Sequence, residues 1–159
     1  MTIAVADLCD DHRDKIKLAE PIFKQYGKKT SISGPIVTVK VFEDNVLVKK
    51  ALETIPEGSL LVVDGGASKR CALMGDNLAA IAVNRKLAGV IINGCIRDSA
   101  VINEMDIGVF ALGTNPFKSI KEGKGQTDIP VQFAGLNWQP GHFVYADSDG
   151  IIISENKLD

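Results

Sequence analysis

The chain is poor in the residues that build metal cages and disulfide frameworks. Among its 159 residues are three cysteines and two histidines. Cys9, Cys71 and Cys95 lie far apart, with no C-x-x-C pair. Their odd number fits reduced, buried thiols rather than cross-links. His12 and His142 belong to no set of two cysteine or histidine pairs at zinc-ligand spacing, so no zinc site is expected. There is also little excess of charge of either sign. Eighteen basic residues against twenty acidic ones leave a net charge of −2. That balance argues against a broad phosphate-binding surface, and so against direct nucleic-acid binding. Long hydrophobic runs are missing too. The uncharged apolar stretch Leu87 to Ile92 is among the longest, whereas a membrane-spanning helix needs about 20 residues. The N-terminal residues lack a basic region and soon meet Asp7, Asp10 and Asp11, so they do not read as a signal peptide. Neither G-x-x-x-x-G-K-[ST] nor G-x-G-x-x-G is present, and no G-x-S-x-G elbow stands ready for a Ser-His-Asp triad with His142 and Asp147. The expectation is a soluble cytoplasmic protein with no membrane partner.

What is present is an ordinary globular composition, 45% apolar and 24% charged. A length near 150 residues predicts one domain, 1–159, able to bury about two-thirds of its unfolded surface. The fifteen glycines are spread along the chain and mark turns. Residues 5–12 have helical character, and 13–34 read as irregular. Residues 35–42 are β-branched and predict a strand. Asp44 or Asn45 caps a predicted helix to about Thr54. Residues 60–63 and 90–92 are short apolar runs, so both predict strands covered on two faces. Between them a helix is expected from Leu78 to about Leu87, opened by Gly75-Asp76-Asn77. A short helix is expected over 99–104 and a strand over 108–112. Residues 113–128 read as an exposed loop, where Lys118, Lys121 and Lys124 are solvated charges; Lys49-Lys50 reads similarly. Four more strands are expected near 130–134, 136–138, 142–146 and 150–153. The pattern is mixed α/β with a central sheet.

Chemistry concentrates between Asp76 and Asp98. Asp76 opens a predicted helix, Arg97-Asp98 follows the next predicted strand, and twenty residues lie between Asp76 and Arg97. In open α/β folds ligands bind at strand C-termini and helix N-termini, so the two segments could meet. Free N–H groups at the helix start can hold a carboxylate, and Gly75 permits close approach. Arg97 can grip a carboxylate or enolate oxygen with two parallel hydrogen bonds. Asp98 can supply one oxygen to a hard divalent cation that keeps several waters. Spacing alone leaves a plainer reading open, with Asp76 as a helix cap and Arg97-Asp98 as a solvated turn pair. Asp64-Gly65-Gly66 reads as a tight turn after a buried strand that could border the same cleft.

The motifs carry a resemblance over essentially the whole chain. They are Asp7-Leu8-Cys9-Asp10, Gly34-Pro35-Ile36-Val37-Thr38-Val39-Lys40, Phe42-Glu43-Asp44-Asn45, Leu61-Val62-Val63-Asp64-Gly65-Gly66, Gly94-Cys95-Ile96-Arg97-Asp98, Pro140-Gly141, Tyr145-Ala146-Asp147 and Gly150-Ile151-Ile152. In these the sequence resembles the RraA-like family, which joins the regulators of ribonuclease activity A to the 4-hydroxy-4-methyl-2-oxoglutarate aldolases. The resemblance implies a single-domain β/β/α swivelling fold with a mixed central sheet, assembled as a homotrimer with the site near a subunit boundary. It also implies a divalent-metal-dependent lyase using Mg²⁺ or Mn²⁺. Asp98 would be the metal ligand. Gly75, Asp76, Asn77 and Leu78 would bind the α-keto acid substrate. Arg97 would bind substrate and stabilise the enolate, and Asp76 would position a catalytic water. The chain is short beside the longer aldolases, some of which take an acidic ligand from a neighbour's C-terminal extension; Glu155 is not assigned that role. The implied reaction is cleavage of 4-hydroxy-4-methyl-2-oxoglutarate to two pyruvates, with oxaloacetate decarboxylase activity beside it. The alternative is a protein inhibitor that docks on the endoribonuclease RNase E or its degradosome helicase. A methyltransferase role, a third label attached to the family, is not expected, because no glycine-rich adenosylmethionine loop follows the first strand.

Overall fold

The computed structural model describes residues 4–158. In chain order the elements begin with α1 (Val5–His12), a 3-10 turn (Arg13–Lys15), β1 (Ile16–Leu18), β2 (Lys24–Tyr26), β3 (Ile32–Lys40) and α2 (Val46–Thr54). Next come β4 (Leu60–Asp64), β5 (Ala72–Met74), α3 (Asp76–Asn84), β6 (Gly89–Ile96), α4 (Ser99–Ile102) and β7 (Val109–Thr114). The chain closes with β8 (Gln126–Thr127), β9 (Val131–Phe133), β10 (Leu136–Trp138), β11 (Phe143–Asp147) and β12 (Gly150–Ser154).

β3, β4, β6 and β7 run parallel as neighbours, and their connections carry α2, α3 and α4. Every residue of β4 and β6 is buried, which is why both are continuous apolar runs. Alternation sorts their side chains. Leu61, Val63, Val90 and Ile92 face the helices, with Val48, Leu52, Ala79 and Ala82. Leu60, Val62 and Ile91 face the opposite way, into a core with Val131, Leu136 and Trp138. That second face is covered by the β9–β10 hairpin. Trp138 is fully buried there, stacked on Phe133 at 4.8 Å, with its Nε1–H donating to the Phe133 carbonyl at 3.0 Å. Beyond β3 the sheet turns antiparallel through β11, β12 and β1, and α1 packs Val5 and Leu8 against Tyr145 and Ile152. The three layers are hairpin, sheet and helices, so the predicted β/β/α architecture is the one observed.

Several local expectations are corrected. Residues 13–34 are not irregular throughout, because β1, β2 and the start of β3 lie there. Those edge strands are short, and β1 and β2 are mostly exposed. The first long strand therefore starts earlier, at Ile32, and admits Pro35 where it pairs with Phe143. α3 runs from Asp76 and ends at Asn84, three residues short of the predicted Leu87. β5 was not expected, and β8 lies inside the segment read as loop. β5 matters for the site. β4 pairs with β6 from Gly89 to Asn93, and β5 takes over at Cys95 and Ile96. Two of the three cysteines, Cys71 and Cys95, are buried and free as expected, whereas Cys9 is half-buried. Burial pushes both buried thiols up from their ordinary value.

Candidate active site

Two distant segments of sequence meet where β5 and β6 end. Met74 is the register partner of Ile96, so the two strand exits lie side by side. The Arg97 N–H donates to the Met74 carbonyl at 3.0 Å. Asp98 has φ 56°, in the left-handed region, a conformation that costs a non-glycine residue about 1 kcal/mol or more. Its Oδ2 accepts the Asp76 N–H at 3.1 Å. Asp76 therefore does not cap its own helix. Gly75 occupies the N-cap position without a side chain, and the Asp98 carboxylate caps α3 from outside. That also sets a negative charge at the positive end of the helix. A Cβ on Gly75 would stand 2.6 Å from Asp98 Oδ2 and 3.3 Å from Arg97 Cγ. The bare backbone is what lets both side chains lie against the helix start.

A cleft of about 760 Å³ opens over this junction, between α2 and α3. Gly75, Asp76, Asn77, Leu78, Arg97 and Asp98 all line it. All six residues singled out in the sequence are thus brought together. The first intrahelical bond runs from the Ala79 N–H to the Gly75 carbonyl, which leaves the Asn77 and Leu78 amides without an intrahelical acceptor. Among the described residues, no ion pair or hydrogen bond occupies the Arg97 guanidinium. The same space thus offers a planar cation, two helix-start amides and two carboxylates.

The cleft lining also includes Asn45 and Lys121, whose part in a site was passed over by sequence reasoning. Lys121 Nζ donates to Asn45 Oδ1 at 2.9 Å, and Asn45 Nδ2 donates to the Leu73 carbonyl at 3.2 Å. Asp44 is 1% exposed. Its Oδ1 accepts the Val46 N–H at 3.1 Å, and its Oδ2 accepts the N–H groups of Glu122 and Lys124 at 3.0 and 3.1 Å. Burial works to raise the Asp44 pKa, but the amides of Val46, Lys124, Glu122 and Gly123 together hold it below the ordinary value. Asp44 and Asn45 were legible as a helix-start pair, yet nothing in the sequence pointed to a loop nearly eighty residues away.

The Asp64 turn forms as expected, with Oδ1 accepting the Gly66 N–H and the Asn93 amide, but it does not line this cleft. His12 and His142 both border a second cleft, of about 580 Å³. Among the described residues, no group of three or more His, Cys, Asp or Glu side chains converges as a metal cage. Asp98 is a single oxygen donor in the cleft, of the kind a hard divalent cation with a shell of waters could take.

Fold and cleft together define an α/β protein in which an arginine, helix-start amides and two carboxylates share a cleft at a strand-to-helix junction. The chain belongs to the RraA-like family, described as Aldolase/RraA, whose model matches residues 5–153. It is 55% identical over 152 residues, 96% of each chain, to a Bacillus cereus protein provisionally named 4-hydroxy-4-methyl-2-oxoglutarate aldolase. A provisionally named aldolase of Arabidopsis thaliana is 51% identical over 98% of this chain and 96% of its own. Among solved structures, one from Geobacillus kaustophilus matches with a TM-score of 0.97 at 57% identity over 98% of this chain and 97% of its own. It bears the name S-adenosylmethionine: 2-dimethylmenaquinone methyltransferase. The RNA-processing inhibitor RraA from Thermus thermophilis matches with a TM-score of 0.93 at 40% identity over 98% of this chain and 94% of its own.

Proposed function

We propose that the protein is a divalent-cation-dependent lyase that cleaves 4-hydroxy-4-methyl-2-oxoglutarate to two molecules of pyruvate and, through the same site, decarboxylates oxaloacetate. The observation that carries this reading is the meeting of Arg97, Asp98 and the start of α3 in one cleft. The provisional aldolase names of relatives near 50% identity support it. Mg²⁺ or Mn²⁺, held through Asp98, would supply Lewis-acid polarisation of the 2-oxo group. The chain's own residues account for the remaining work. The Asn77 and Leu78 amides bind the carboxylate of the 2-oxo acid. Asp76 holds a water that takes the proton from the C4 hydroxyl. As that proton leaves, the C4 carbonyl forms and the C3–C4 bond breaks, and its electron pair becomes the pyruvate enolate. Arg97 stabilises the enolate oxygen through charge-assisted hydrogen bonds. Protonation at C3 releases the second pyruvate. The family resemblance adds a homotrimer with the cleft near a subunit boundary.

The test is pyruvate release from both substrates with Mg²⁺, before and after chelation. Activity that chelation and Asp98→Ala both abolish supports the reading. No release with Mg²⁺ or Mn²⁺, or full activity in Asp98→Ala, overturns it.

The Thermus thermophilis neighbour is named an RNA-processing inhibitor, and with the family resemblance this favours a second reading, inhibition of RNase E or its helicase by protein–protein binding. A pulldown with purified nuclease and an RNA-cleavage assay with the Asp98→Ala protein separate the two. Inhibition that survives the substitution acts independently of the cleft. The methyltransferase name has less physical support. β3, the first parallel strand, runs on into Val41-Phe42-Glu43-Asp44, which is no glycine-rich loop for an adenosyl cofactor.

A further inference from the structure

We propose that Lys118 and Lys121 form the subsite for the second carboxylate of a dicarboxylic 2-oxo acid, on a loop that Asp44 and Asn45 clasp to the start of α2. The proposal rests on the lyase reading for where the 2-oxo end of the ligand sits, and it adds what the lysines lining the same cleft recognise. Both lysines line the cleft that holds Arg97 and Asp98. Besides Asp76, Arg97 and Asp98, the cleft presents Lys49, Lys50, Lys118 and Lys121 against the single carboxylate of Glu53. A ligand with one carboxylate, met by the α3 amides, would leave those lysines unanswered. A second carboxylate answers them.

The lysines are also placed rather than merely present. An ammonium group has three donors, and Lys121 spends one on Asn45 Oδ1, which fixes its direction. Asn45 is itself 9% exposed and anchored to the Leu73 carbonyl on β5. The buried Asp44 holds the backbone just beyond Lys121 through the Glu122 and Lys124 amides. Ile120 N–H donates to the Glu43 carbonyl at 2.9 Å, and the Ala72 N–H donates to the Phe117 carbonyl at 2.8 Å, so the loop is tied on both sides of Lys118. An anchored loop loses less conformational freedom on binding, which favours affinity.

Equilibrium binding in Mg²⁺ tests this with two inert probes of equal carbon number, the dicarboxylate 2-oxoglutarate and the monocarboxylate 2-oxopentanoate. The wild-type protein is expected to prefer 2-oxoglutarate by about tenfold. The Lys118→Met/Lys121→Met protein is expected to lose that preference, and Lys121→Arg, which keeps the charge, to retain it. Both lysines are exposed, so neither change threatens the core. No preference in the wild type, or a preference that persists in the double variant, overturns the proposal. Turnover of 4-hydroxy-4-methyl-2-oxoglutarate is measured alongside. If turnover is absent while the binding preference behaves as expected, the lyase reading falls and the dicarboxylate subsite stands.

Discussion

The proposed function gives Asp98 a second duty beside the one the structure shows. Its Oδ2 caps α3 through the Asp76 N–H, and in the proposed reaction the group also holds the cation. The duties differ in what they require. A cap needs only a hydrogen-bond acceptor, whereas a hard cation needs a charged oxygen. Asparagine keeps an acceptor and loses the charge. Asp98→Asn should therefore hold the thermal midpoint near that of the wild type while abolishing Mg²⁺-dependent pyruvate release. Asp98→Ala should lose activity and also about 1 kcal/mol of stability with the cap. Thermal melts beside activity assays on the two variants check this. Equal destabilisation by both would show that charge at the helix start, not the hydrogen bond, is the stabilising part.

At the scale of elements, the clasp on α2 is electrostatic and should depend on pH. Asp44 has its folded pKa depressed by the amides it accepts, despite its burial. A depressed carboxylate contributes stability that is present above its unfolded pKa, about 3.9, and is lost as pH falls through its folded value. Asp44→Asn turns one acceptor oxygen into an amide donor facing donors. The variant should melt below the wild type at pH 7, and the gap should close as both are taken below about pH 4. A gap independent of pH would assign the effect to packing.

The same scale explains what could be read beforehand. β4 and β6 were legible because burial on both faces leaves continuous apolar runs such as Leu60 to Val63 and Val90 to Ile92. β1, β2 and β5 were not. They span three residues each, too few to establish a period, and their pairing is set by distant partners. The six cleft residues were legible because Gly75 and Arg97-Asp98 sit at punctuation between elements. Asp44, Asn45 and Lys121 were not, since their meeting depends on a loop crossing back over α2, and solvated charges in a loop give no sign of where the loop lies.

For the whole molecule, a cation held by the native cleft and not by the unfolded chain must stabilise the entire fold by mass action. Saturation at one hundred times the dissociation constant adds about 2.7 kcal/mol. For a domain of this length that corresponds to a rise of about 5–10 °C in the midpoint, taking about 2–4 °C per kcal/mol. No helix among the described residues is long and apolar enough to cross a membrane. Added Mg²⁺ should raise the midpoint, a chelator should return it, and Asp98→Ala should respond to neither. The measurement needs no substrate and is blind to whether the protein's work is lysis of a 2-oxo acid or restraint of a nuclease. A midpoint shift that persists in Asp98→Ala would place the cation elsewhere on the molecule and remove Asp98 from its proposed role.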